Sequence, residues 1–67
     1  MRIKTAADAV KIVARAEDAG WTMGRICDAI GVTPEAIRAW RRDPERVPHT
    51  RVRAALLTLD GKLRRKA

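Results

Sequence analysis

The sequence contains neither phenylalanine nor tyrosine, and its only aromatic residues are Trp21 and Trp40. β-Sandwiches and barrels depend on aromatic and β-branched side chains, so this scarcity disfavours those folds. The single cysteine, Cys27, cannot form an internal disulfide, and with the single histidine, His49, it cannot complete a structural zinc site. We therefore expect the fold to be held by packing alone or by a partner chain, and we expect no cofactor.

Long apolar runs are also missing, so the sequence predicts neither a signal peptide nor a transmembrane helix. This favours a cytoplasmic protein without a membrane partner. The 67 residues can form only one small domain, which has no room for a large pocket. The sequence also shows no carboxylate pair in an apolar setting, no metal-binding cluster and no phosphate-binding loop. We therefore expect neither an enzyme nor a small-molecule substrate.

Positive charge is in large excess, with 15 lysines and arginines against 8 acidic residues and a formal net charge of +7. Residues 38–53 carry a net charge of +4 through six arginines, and residues 61–67 carry another +4. This excess favours a polyanionic partner, with nucleic acid ahead of an anionic membrane surface. Arginine is also suited to bidentate contacts with phosphate or guanine.

Apolar spacing and capping residues predict a small all-α fold. The predicted helices are residues 6–19, 23–30, 34–42 and about 50–59, with N-caps at Thr5, Thr22 and Thr33 and with ends at Gly20, Gly31, Asp43-Pro44 and Asp60-Gly61. Residues 62–67 are predicted to form a frayed turn or to be disordered. The apolar stripes predict a core of Val10, Val13, Ile26, Ile30, Val32, Ile37, Trp40, Val52, Leu56 and Leu59, and Cys27 is expected to be a small buried filler.

The second and third predicted helices are separated only by Gly31, Val32 and Thr33. Glycine at the end of a helix commonly adopts the left-handed conformation, and we expect this at Gly31. A connection this short makes the two helices cross steeply and share one core.

Residues 23–42, which include the run IGVTPEAIRAWRR, resemble the helix-turn-helix of the Cro and lambda-repressor-like family. The residues that carry the resemblance are Ile26, Cys27, Ile30, Gly31, Val32, Thr33, Ile37 and Trp40. The resemblance covers about residues 6–59 and implies a four- to five-helix bundle, with residues 1–60 as a DNA-binding domain and residues 61–67 as a basic tail. The chain departs from the family at Gly24 and Arg25, where Gln or Glu is usual. The run is also similar to MerR-type proteins, but these continue into a β-wing, and residues 43–67 lack the alternation of strands.

This resemblance implies a transcriptional regulator that binds double-stranded DNA as a homodimer on a palindromic operator. A phage or mobile-element repressor, associated with the nucleoid through DNA, is the type that it suggests. Residues 34–42 would then enter the major groove, where Arg38 could bind guanine and Glu35 could accept from cytosine. The expected DNA contacts are Thr22, Thr33, Pro34, Glu35, Arg38, Arg41, Arg42, Arg46, His49 and Arg51.

Structural roles are the alternatives for several of these residues. Thr22 and Thr33 are expected to be caps in any case, Glu35 could complement the helix dipole, and His49 could be a helix-start residue. An antitoxin-like or sigma-factor-binding adaptor is the alternative function, but it would need apolar anchors where the third helix carries arginines. A non-specific nucleic-acid binder is a third possibility because of the basic tail. Leu57 and Leu63, which the predicted core does not use, are candidates for a dimer contact.

Overall fold

The computed structural model describes residues 3–65, which form four helices joined by turns and loops and contain no strand. The helices are α1, Ala6–Asp18; α2, Met23–Ile30; α3, Pro34–Arg42; and α4, Thr50–Arg65. The prediction of an all-α fold is confirmed, and so are the bounds of α2 and α3. None of these four helices is both long enough and apolar enough to cross a membrane.

α1 begins at Thr5, the N-cap that the sequence predicted, and Asp8 three residues later completes the start of the helix. The Asp8 carboxylate accepts hydrogen bonds from the backbone N–H of Lys4 at 3.0 Å and of Thr5 at 3.4 Å. These hydrogen bonds stabilise the charged form and hold the pKa of Asp8 below its usual value. The carboxylate thus satisfies backbone donors that precede the first turn.

The first turn of α1 also holds the loop between α3 and α4. The backbone N–H of Ala6 donates to the Arg46 carbonyl at 2.6 Å, and that of Ala7 donates to the Pro44 carbonyl at 3.0 Å. Both N–H groups lack a partner within their own helix, so the loop supplies what the start of α1 needs. The backbone that carries Arg46 is therefore fixed against the rest of the domain.

Side chains from all four helices and Ile3, which precedes α1, form the core, and most of them are aliphatic. α1 packs against each of the other three helices. The buried residues of the core are Ile3, Ala6, Ala9, Ile12, Val13, Ala16, Ile26, Cys27, Ile30, Ile37, Trp40, Leu56 and Leu59. Cys27 is buried as expected. Val10, Val32 and Val52 were predicted to be buried but are only half-buried at the edge of the core. A domain of this size has few positions that are covered from every side.

The predicted end of α4 at Asp60-Gly61 is wrong, because the helix continues to Arg65. Residues 62–65 are therefore helical rather than frayed, and residues 66 and 67 lie outside the described range. Leu63 is half-buried and packs against the core, so it is not left over for a dimer contact as the sequence suggested. Leu57 remains 41% exposed.

A buried carboxylate explains why α4 continues. The Asp60 side chain is only 6% exposed, and it pairs with Arg15 Nη1 of α1 at 2.8 Å and with Arg64 Nε of α4 at 3.2 Å. These ion pairs, together with the packing of Leu63, hold the helix together beyond Gly61. They outweigh the cost of a glycine inside a helix, which is about 1 kcal/mol.

Asp60→Asn should therefore destabilise the domain and shorten α4. The expected loss is about 1–2 kcal/mol of unfolding free energy. This lies at the lower end of the range for hydrogen bonds to charged groups, because the Arg15 and Arg64 side chains are about half exposed. Thermal unfolding followed by circular dichroism measures it, since 1 kcal/mol shifts the Tm of such a domain by roughly 4–8 °C. Asp28→Asn, an exposed change of the same kind on α2, is the control. Equal melting temperatures for the two variants would contradict this account of α4.

Candidate nucleic-acid interface

The turn between α2 and α3 has the backbone conformation that the sequence predicted. Gly31 lies in the left-handed region, with φ 70° and ψ 36°. Its N–H and that of Val32 both donate to the Cys27 carbonyl, at 2.8 and 3.1 Å. A Cβ atom added to Gly31 would meet no atom within 4 Å. Glycine is thus required here by its conformation and not by a lack of space.

Gly31→Val should consequently destabilise the domain through the backbone alone. We expect a loss of about 1–3 kcal/mol, because a β-branched residue is strained in the left-handed region. Gly31→Asn is the matched control, since asparagine tolerates this region better and neither side chain meets a neighbour. Thermal unfolding compares the three proteins. A Val variant that melts within a degree or two of the parent would show that the left-handed turn is not needed.

Two threonines begin the helices on either side of this turn. Thr22 Oγ1 accepts from the Arg25 N–H at 3.2 Å, and Thr33 Oγ1 accepts from the Ala36 N–H at 3.4 Å. Pro34 occupies the first turn of α3. The expected capping roles are confirmed. DNA contacts by Thr22, Thr33 and Pro34 remain predictions.

α3 has one buried and one exposed face. Ile37 and Trp40 lie in the core, whereas Glu35, Arg38 and Arg42 are exposed. We call these last three residues the α3 face. It carries two arginines and one glutamate and has no large apolar side chain. Such a composition suits a polar, anionic surface better than an apolar one.

Glu35 and Arg38, the two residues expected to read bases, are bonded to each other. Arg38 Nη1 donates to Glu35 Oε1 at 2.6 Å, and the two side chains are 65% and 71% exposed. Their spacing of three residues places them side by side on the helix. The sequence contained this signal, because opposite charges at this spacing commonly pair, but the prediction had assigned the two residues separate bases.

Arg41 lies apart from the α3 face. Its Nη2 donates to Glu17 Oε1 of α1 at 3.1 Å, which connects the two helices. The expected DNA contact by Arg41 did not include this structural role. A phosphate contact by Arg41 would have to displace Glu17 or share the guanidinium with it.

The loop before α4 brings further basic residues to one flank of α3. A groove of about 360 Å³ lies between them, and its lining consists of Val32, Ala36, Ala39, Trp40, Arg46, Val47, Pro48, His49 and Val52. The loop thereby places Arg46 and His49 beside α3, so that α3 and the loop could contact one ligand together. Arg42, Arg46 and Arg51 are exposed, and no ion pair formed within residues 3–65 includes them.

His49 also begins α4. Its Nδ1 accepts from the Arg51 N–H at 3.2 Å, and its carbonyl accepts from the Arg53 N–H at 2.9 Å. The helix-start role of His49 is confirmed, while a phosphate contact remains a prediction.

Sequence reasoning missed two arginines near the ends of helices. The Arg25 guanidinium lies 4.0 Å from the centre of the Trp21 ring, a cation–π contact across the start of α2. Arg53 is half-buried, and its Nη2 donates to Thr50 Oγ1 at 3.2 Å. The spacings of four and three residues were visible signals for both contacts. Both arginines therefore support helix starts and are less free than Arg42 or Arg51.

Across residues 3–65, no group of three or more His, Cys, Asp or Glu side chains lies together in a way that could hold an ion.

Comparison with known proteins returned no match to a family model, a curated protein or a solved structure. The candidate interface is thus defined by its own geometry and charge.

Proposed function

We propose that this chain is a sequence-specific regulator of transcription that binds double-stranded DNA. In this proposal α2, the turn at Gly31 and α3 act as a helix-turn-helix, and α3 enters the major groove. The observation that carries the proposal is the α3 face. It is charged and exposed, while the opposite side of the same short helix is anchored in the core through Ile37 and Trp40.

The dimensions of α3 support this role. Its nine residues give a length of about 14 Å, and the major groove is about 12 Å wide and accepts an α-helix. Arginine is the residue that most often contacts guanine there. Arg38 and Arg42 would face base edges or the rim of the groove. A helix of this length could read only a few base pairs.

Phosphate contacts are assigned to the flanking segment. Arg46 and His49 line the groove beside α3, and Arg51 follows His49 in the first turn of α4. Their charge and donors would bind the DNA backbone, which supplies affinity and orientation without reading sequence. Thr22 and Thr33 would add contacts at the starts of α2 and α3.

A homodimer on a palindromic operator completes the proposal. Two half-sites would lie about one helical turn of DNA apart, with one α3 in each. Leu57 of α4 is the remaining candidate for a subunit contact because it is a large exposed apolar residue. A repressor of phage or mobile-element type, cytoplasmic and associated with the nucleoid, would fit this mode of binding.

Selection of bound duplexes from a random DNA pool tests the proposal. We expect enrichment of a palindromic motif by the parent chain. A variant that carries both Arg38→Ala and Arg42→Ala should retain DNA weakly and enrich no motif. Retention of DNA without any motif by the parent would indicate a non-specific binder instead.

A protein-binding adaptor is the second candidate function. One observation favours it: Val47 is 61% exposed at the edge of the apolar groove beside α3. An apolar anchor from a partner protein could occupy that groove. Failure of the parent chain to retain any duplex in the selection would favour this candidate.

A further inference from the structure

We propose that Glu35 is a positioning residue that fixes the orientation of Arg38, and that Arg38 alone of this pair reads a base. This inference rests on the proposed DNA-binding function and concerns the same face of α3. Arg38 Nη1 donates a hydrogen bond to Glu35 Oε1 at 2.6 Å. Within residues 3–65, no other ion pair or side-chain hydrogen bond involves either residue.

The contact with Glu35 leaves free the donors of Arg38 that a guanine would need. A guanidinium carries five N–H donors in one rigid plane, and the contact with Glu35 uses a donor on Nη1. Nη2 and Nε still present an edge with parallel donors. Guanine requires such an edge, because its O6 and N7 accept two hydrogen bonds together. The carboxylate thus favours one orientation of the guanidinium without occupying the edge that would read the base.

Orientation matters because Arg38 is otherwise unrestrained. An exposed arginine has many rotamers, and binding must select one of them. The contact with Glu35 reduces this entropy loss before DNA arrives. It also favours one placement of Arg38 along α3, so that a guanine at one position of the site is preferred over its neighbours.

The charge of Glu35 adds to the discrimination. A carboxylate close to DNA is repelled by phosphates, so the pair attracts random DNA less than a lone arginine would. When Arg38 meets guanine, its two hydrogen bonds offset this repulsion. When Arg38 meets a base without paired acceptors, the two hydrogen bonds do not form and the repulsion is not offset. Glu35 should accordingly weaken binding to random DNA while it raises the preference for the correct site.

A double-mutant cycle tests this inference. The parent, Glu35→Gln, Arg38→Ala and the double variant are titrated with the selected duplex, with the same duplex changed at the guanine that Arg38→Ala identifies, and with a random duplex. We expect Glu35→Gln to lower the preference for that guanine by roughly twofold to fivefold, because the ion pair is exposed to solvent. Its binding to random DNA should stay equal or become tighter. In the Arg38→Ala background, Glu35→Gln should leave the preference unchanged.

Glu45→Gln is the matched control because it removes the same charge from an exposed carboxylate of the loop. It should tighten binding to all three duplexes equally and leave the preference for guanine intact. Thermal unfolding of each variant excludes a loss of fold.

Three results would overturn the inference. Additive effects of the two substitutions would show that Glu35 and Arg38 act independently. A changed preference at a separate cytosine would show that Glu35 reads a base itself. If the parent does not prefer the selected duplex over random DNA, the proposed function fails and the inference fails with it.

Discussion

Ile37→Ala is expected to remove about 2–5 kcal/mol of unfolding free energy, which is the usual cost of truncating a buried isoleucine. Ile37 is 1% exposed and lies in the middle of α3, on the side opposite Arg38 and Arg42. A domain of this length has only a few kcal/mol of net stability, so most of it would be lost. The Tm should fall by well over ten degrees, or the transition should lose its cooperativity.

Val47→Ala provides the control for this substitution. Val47 is also a branched aliphatic residue, but it is largely exposed, so its truncation should change stability by no more than about 0.5 kcal/mol. Similar transitions for Ile37→Ala and Val47→Ala would mean that α3 is not anchored in the core. The division of α3 into a buried side and the exposed α3 face would then be wrong.

Arg38→Ala should reduce binding to the selected duplex by about 1–3 kcal/mol and weaken the preference at one base pair. The reason is that its side chain is 65% exposed on α3 and pairs with Glu35 only through Nη1, so its remaining donors could bind a guanine. Binding to random DNA should change much less. Titrations on both duplexes at several salt concentrations measure the two effects separately.

Arg51→Ala is the contrasting variant. Arg51 is exposed, lies in the first turn of α4 and follows the loop, so phosphate is its expected contact. Its loss should weaken binding to both duplexes equally. The slope of log K against log salt concentration should become smaller by roughly 0.9, which corresponds to the loss of one phosphate contact. Equal losses on both duplexes from Arg38→Ala would make Arg38 another phosphate contact. Specificity would then depend on Thr33, on Glu35 or on DNA shape.

Local signals predicted the part of the fold around the turn well. Thr22, Gly31 and Thr33 act on backbone groups only a few residues away, so their roles can be inferred from spacing alone. The bounds of α2 and α3 followed from them. The pairing of Glu35 with Arg38 is equally local and was predictable from their charges and spacing.

Contacts between distant residues account for what the sequence did not predict. Gly61 resembles a helix stop locally, but Asp60 pairs with Arg15, which lies 45 residues away along the chain. Glu17 and Arg41 meet across 24 residues in the same manner. The carbonyl groups of Pro44 and Arg46 that hold the loop to α1 belong to the backbone, which carries no signal in the sequence.

The most direct test of the account is to map the DNA-binding surface by NMR on this 7.5 kDa chain. Amide and arginine side-chain shifts would be followed while the selected duplex is added. If α3 enters the major groove, the largest changes occur at Glu35, Arg38 and Arg42 and over residues 46–53, while the exposed side of α1 at Lys11, Ala14 and Asp18 stays unchanged. Changes centred on α4 around Leu57, with none on α3, would contradict it.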